Sequence, residues 1–112
     1  MPTEFREKGD ALIVSLSGEV DQYAAAILKR KIDLEIEATR KKRLIFDLAK
    51  VTFMDSSGIG LIIGRYRLLS PIGGRIYLCG ATRRVKKIVE ISGLKKIAKC
   101  CRSVDCALKK EV

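Results

Sequence analysis

Apolar residues along this chain follow two periods, and the two alternate. Residues 11–17 form a short apolar run with Leu12, Ile13 and Val14 at its centre, which predicts a strand. Residues 5–7 can pair with it as a hairpin across Lys8-Gly9-Asp10, where Gly and Asp suit a tight turn. The period then changes. Ala24, Leu28, Ile32 and Ile36 recur every four residues, and Ile27 and Leu34 widen the stripe. Lys29, Arg30, Asp33 and Glu37 occupy the other faces, so an amphipathic helix over residues 22–40 is predicted. Asp21 is placed to cap its first free amides, and Arg40 and Lys41 suit the negative end of its dipole.

Residues 44–48 are almost continuously apolar, as in a strand covered on both faces. A connector over 49–55 leads to a second helix over 56–69, which residues 70–74 end with Pro71, Gly73 and Gly74. A third strand is predicted at 75–79 and a third helix at about 82–92. Thr82 is its N-cap, and Gly93 its left-handed C-terminal residue. A last strand at 96–101 and a last short helix at 103–110 complete the chain. Strands alternating with helices imply an α/β fold: a mixed, mostly parallel sheet of four to five strands with about four helices and right-handed crossovers. The length of 112 residues fits one domain spanning 1–112. In such sheets the exposed chemistry lies where strands hand over to helices. Here those junctions are residues 18–21, 54–58 and 80–82.

Charge adds a second theme. The formal net charge is +10 and the isoelectric point about 9.7. The basic runs are Arg40 to Arg43, the group Arg83, Arg84, Lys86 and Lys87, and the group Lys95, Lys96 and Lys99. The few aromatic residues are scattered, so no RNA-binding aromatic signature accompanies them. A solvated basic surface that steers an acidic partner is preferred over direct nucleic-acid binding. Four cysteines and no histidine leave no zinc-like spacing, and no metal or cofactor is expected. The cysteines read as reduced and mostly buried thiols. The N-terminus lacks an apolar signal region, and no apolar run reaches membrane-spanning length, so a cytoplasmic chain with no membrane partner is expected.

The chemistry concentrates in Val51-Thr52-Phe53-Met54-Asp55-Ser56-Ser57-Gly58-Ile59-Gly60. Either Asp55 or Ser56 can be the N-cap, which puts Ser56 at an exposed helix N-terminus. Gly58, Gly60 and Gly64 each weaken a helix interior by about 1 kcal/mol relative to Ala, so three together need an offsetting reason. Gly60 and Gly64 share a face that another backbone, from the sheet or from a partner, can approach. Spacing alone leaves two readings, a plain capping loop or a functional serine. Nucleophilic catalysis of the Ser-His-Asp kind is excluded because there is no imidazole, and the chain is not expected to be an enzyme. No Gly-x-x-x-x-Gly-Lys-Ser/Thr loop is present. A serine that is acted upon remains. A phosphate there adds about −1.5 to −2 charges, which a helix N-terminus accommodates while docking is lost.

These residues resemble a known family. The stretch Asp47-Leu48 through Gly60, continuing Ile63-Gly64-Arg65-Tyr66, is similar to the STAS-domain anti-sigma factor antagonists, most closely the sporulation type of the sigma-F pathway. Gly18-Glu19-Val20-Asp21 and Ile91-Ser92-Gly93-Leu94 resemble two further family signatures. Gln22-Tyr23 departs from the sporulation type, which often has histidines there. The resemblance implies a STAS fold and partner switching that controls transcription. The unphosphorylated antagonist binds an anti-sigma factor that is also an ATP-dependent serine kinase, and so releases the sigma factor. The kinase phosphorylates the serine after the motif Asp, here Ser56, and a serine/threonine phosphatase of the metal-dependent class restores it. The implied partner-binding residues are Asp21, Met54, Asp55, Ser57, Gly58, Ile59, Gly60 and Arg65. The alternatives are a structural STAS subunit of a larger stress-signalling assembly and, behind it, a basic nucleic-acid-binding protein.

Overall fold

The computed structural model describes residues 3–109. Strands β1 (Glu4–Lys8) and β2 (Ala11–Val20) form a hairpin, followed by helix α1 (Gln22–Thr39). Next come β3 (Arg43–Met54), α2 (Ser56–Leu69), a 3-10 turn at Ser70–Ile72 and β4 (Arg75–Cys79). Helix α3 (Arg83–Ser92), a second 3-10 turn at Leu94–Lys96, β5 (Ala98–Cys101) and α4 (Val104–Lys109) complete the fold. The five strands lie side by side in chain order, with β1 antiparallel to β2 and all other pairs parallel. This is the mixed α/β architecture that the alternating periods imply.

The two faces of the sheet are unequal. Leu12, Val14, Leu44, Phe46, Ile76 and Leu78 point to one face and pack beneath α1, α2 and α3. Ile13, Ile45, Tyr77 and Cys79 point to the other, where α4 covers them through Ala107, Val104 and Leu108. Arg43 fastens α4 in place. Its guanidinium lies 5.2 Å from the Tyr77 ring centroid, donates to Asp10 Oδ1 at 2.9 Å and donates to the Ala107 carbonyl. An isolated helix of six residues is too short to persist, so these anchors hold it.

Several elements differ from the sequence-based expectation. The central strand does not stop at residue 48 but runs to Met54. Strand β4 ends at Cys79, opposite Asp47, so from there β3 is paired with β2 alone. Ala49 and Lys50 are exposed for that reason, and two register shifts near Ser17 and Gly18 absorb the irregularity. Polar residues here mark a one-sided strand rather than a connector. Helix α1 buries Ala24, Ala25, Leu28, Ile32 and Ile36, whereas Ile27 is 42% and Leu34 66% exposed. These two do not widen the stripe. Arg40 ends the helix as a left-handed residue at φ 59° and its N–H donates to Ile36 O at 2.9 Å. The last strand starts at Ala98, because the 3-10 turn takes residues 94–96. The last helix starts at Val104, and Lys110, in its expected span, lies outside the described residues.

The thiols are also more exposed than expected. Cys79 is buried and Cys101 half-buried, but Cys100 and Cys106 face solvent. Burial pushes the Cys79 thiol up to about 12, so it is protonated and inert near neutrality.

Candidate functional site

At their C-terminal ends β2 and β3 carry two loops side by side. Val20 and Met54 are register partners, and the next residues, Asp21 and Asp55, each cap a helix. Asp21 Oδ1 accepts from the Ala24 N–H at 2.9 Å. Asp55 Oδ1 accepts from the Ser57 N–H at 2.8 Å, while its carbonyl accepts from Gly58 and Ile59 at 3.1 and 3.2 Å. The Asp55 N–H reaches across to the Val20 carbonyl at 3.4 Å, so the loops are joined directly. A side-chain cap of this kind contributes about 1 kcal/mol to its helix. Asp55, not Ser56, is therefore the N-cap of α2.

That assignment leaves Ser56 as the first residue of α2, exposed to solvent. Ser57 and Ile59 beside it are half-buried, and Gly60 is exposed. The site is thus a ledge made of two carboxylates and one accessible hydroxyl at the positive end of a helix. Anions are favoured at such an end, and the adjacent carboxylates oppose them through like-charge repulsion.

Three residues expected at this surface are buried. Met54 is 1% exposed and packs in the main core. Gly58 is buried, and a Cβ there would collide with the Met54 side chain and approach Val20 Cγ1 and the Val20 carbonyl to 3.1 Å. The close approach expected at Gly60 and Gly64 therefore occurs at Gly58, while a Cβ at Gly60 or Gly64 would meet nothing within 4 Å. Arg65 is 6% exposed, and its Nε lies 2.9 Å from Asp33 Oδ1 on α1. The geometry is that of an ion pair rather than an aligned hydrogen bond. Arg65 ties α2 to α1 and does not project outward.

We expect Arg65→Ala to lower stability by about 1–3 kcal/mol in urea denaturation. The cost of stranding a buried partner is discounted because the Asp33 side chain keeps 36% of its exposure.

The sequence missed a groove next to the ledge. Glu19, Asp21, Tyr23, Ile27 and Lys31 line a cleft of about 360 Å3, and Tyr23 is 77% exposed. The available signal was the offset of Tyr23 and Ile27 from the 24–28–32–36 row. On α3 the Arg84 guanidinium lies 5.9 Å from the Phe53 ring centroid. Among the described residues no group of three His, Cys, Asp or Glu side chains could hold a metal ion.

Residues 3–107 match the STAS domain. This chain belongs to the STAS-domain family. It is 35% identical over 94 residues to an anti-sigma F factor antagonist of Paenibacillus polymyxa, which covers 84% of this chain and 80% of that one. Its structure is similar to that of the anti-sigma factor antagonist SpoIIAA in its unphosphorylated form, with a TM-score of 0.84 at 27% identity over 97% of this chain and 95% of that one. It is also similar to the Bacillus cell fate determinant SpoIIAA in the phosphorylated form, with a TM-score of 0.76 at 26% identity over 97% and 98% of the two chains. The STAS fold expected from the motif residues is the fold observed. Among the described residues no helix is long and apolar enough to cross a membrane.

Proposed function

We propose that this STAS protein is an anti-sigma factor antagonist of the sigma-F type, acting as a single-domain binding module in the cytoplasm. Unphosphorylated, it docks on an anti-sigma factor that is also an ATP-dependent serine kinase and displaces the bound sigma factor. Phosphorylation of Ser56 ends that docking, and a metal-dependent serine/threonine phosphatase renews it. The observation that carries this reading is the exposed Ser56 hydroxyl on the first residue of α2, directly after the Asp55 cap and beside the Asp21 loop. The kinase can reach the hydroxyl there, and a phosphate can project without entering the core. Asp21, Asp55, Ser57, Ile59 and Gly60 form the contact surface. Met54 and Gly58 support that surface from beneath, and Arg65 ties α2 to α1 further along the helix.

The relatives favour this reading, since anti-sigma F factor antagonists of two organisms match at 35% and 34% identity. The direct test is to incubate the protein with the kinase-type anti-sigma factor of its own organism and ATP, then locate the phosphate by mass spectrometry. We expect one phosphate on Ser56 and none in Ser56→Ala. The proposal fails if the unmodified protein binds no such factor, or if the label lies elsewhere.

A further inference from the structure

The basic excess has a definite place in the fold. Between residues 83 and 102 there are eight cationic side chains and one carboxylate, which accounts for most of the net +10. Helix α3 buries Val85 and Val89 and exposes Arg83, Arg84, Lys86 and Lys87. Lys86 meets Lys95 and Arg102 along one cleft of about 490 Å3 between α3 and the end of β5. The one carboxylate, Glu90, is paired with Lys95 at 3.3 Å.

Local electrostatics does not explain this arrangement. All four cations lie in the first half of α3, and its first turn has no acidic residue. The helix dipole favours carboxylates there and disfavours cations. Arg83 also stands three and four residues from Lys86 and Lys87, the spacing at which like charges repel on a helix. The patch is thus held against the preferences of its own helix, and an anion bound over it would relieve both penalties.

A second feature selects among anions. Ile91 is 82% exposed, the highest value among the exposed large hydrophobic side chains, and stands four residues from Lys87 and from Lys95. Phosphates of a nucleic-acid backbone offer nothing to an isoleucine, and no exposed aromatic ring on α3 is available to stack a base. A lipid surface offers both halves of the match, anionic headgroups for the cations and an acyl boundary for the apolar side chain.

We propose that the α3 face, from Arg83 through Ile91 to Arg102, adsorbs reversibly to an anionic lipid surface. Adsorption needs no membrane-spanning segment, so the absence of long apolar runs does not oppose it. It is independent of the Ser56 switch and stands whether or not that switch operates.

The test is co-sedimentation of the whole protein with vesicles containing phosphatidylglycerol, or phosphatidylcholine alone. We expect binding to the first and not the second, and its loss when salt is raised several-fold to shorten the screening length. The double variant Lys86→Glu/Lys87→Glu should weaken binding at least roughly tenfold. Lys31→Glu/Lys42→Glu makes the same change in net charge on α1 and at its end, away from α3, and should leave binding within about threefold. Ile91→Ser should weaken it several-fold, with circular dichroism unchanged for all variants. The proposal is overturned if low-salt phosphatidylglycerol vesicles do not bind the protein, or if both charge variants lose affinity equally. It is also overturned if Ile91→Ser is without effect while a DNA duplex strips the protein from the vesicles, which would make the face a nucleic-acid surface.

Discussion

Phosphorylating Ser56, or replacing it with aspartate, is expected to weaken binding to the anti-sigma factor while circular dichroism and melting temperature stay close to those of the parent. For the phosphate the loss should be about 100-fold, equivalent to roughly 2.7 kcal/mol. The added group carries about −1.5 to −2 charges onto a ledge that already holds Asp21 and Asp55. A partner that fits the unphosphorylated ledge then meets three anionic groups instead of two. The fold tolerates the change because Ser56 is exposed and the positive end of α2 faces the phosphate. Aspartate has less charge and fewer acceptors, so its effect should be smaller but of the same sign. Titration calorimetry with the purified anti-sigma factor gives both affinities. Equal binding by the phosphorylated and unmodified forms would remove the switch.

The second large effect is expected at Gly58, where alanine should lower stability by about 1–3 kcal/mol. In an open helix interior this replacement stabilises by up to about 1 kcal/mol. At Gly58 the new methyl group runs into Met54 and approaches Val20, which precede the two capping aspartates. The Met54 side chain is itself buried, so relief of the clash repacks it or shifts the β2 end, the β3 end or the start of α2, and such a shift displaces Asp21 or Asp55. Affinity for the partner should therefore fall together with stability. Gly60→Ala supplies the contrast. Nothing lies within 4 Å of its Cβ, so stability should rise by about 0.5–1 kcal/mol. A loss of affinity in that more stable variant would mark Gly60 as a point of close approach by the partner. Chemical denaturation and the same calorimetry decide both cases, and a Gly58→Ala protein with parental stability and affinity would refute the packing argument.

What could be read from the sequence was what is written in short-range pattern. The Ser56–Leu69 bounds of α2, the Thr82 cap and the left-handed Gly93 follow from neighbouring residue types, and the structure has them where the pattern puts them. Chain-order alternation was enough for a largely parallel sheet. The larger misreadings depend on what lies opposite a residue. Ala49 and Lys50 look like a connector until β4 is seen to end at Cys79, leaving them in a strand with one open side. Ile27 and Leu34 fit a helical stripe, but the groove between α1 and the sheet is filled by Ala24, Leu28, Ile32 and Ile36. Arg65 reads as a surface cation because its partner, Asp33, is 32 residues away on another helix. Three glycines in one helix could not be told apart by spacing, since only Gly58 has a neighbour that excludes a methyl group.

Because β4 stops short, β2 and β3 continue past the rest of the sheet as a two-stranded pier, with the capped loops at its tip. A protein that grips those loops meets an end of the sheet only two strands wide. Val20, Val51 and Met54, all buried in the main core, anchor that landing stage to the five-stranded deck behind it.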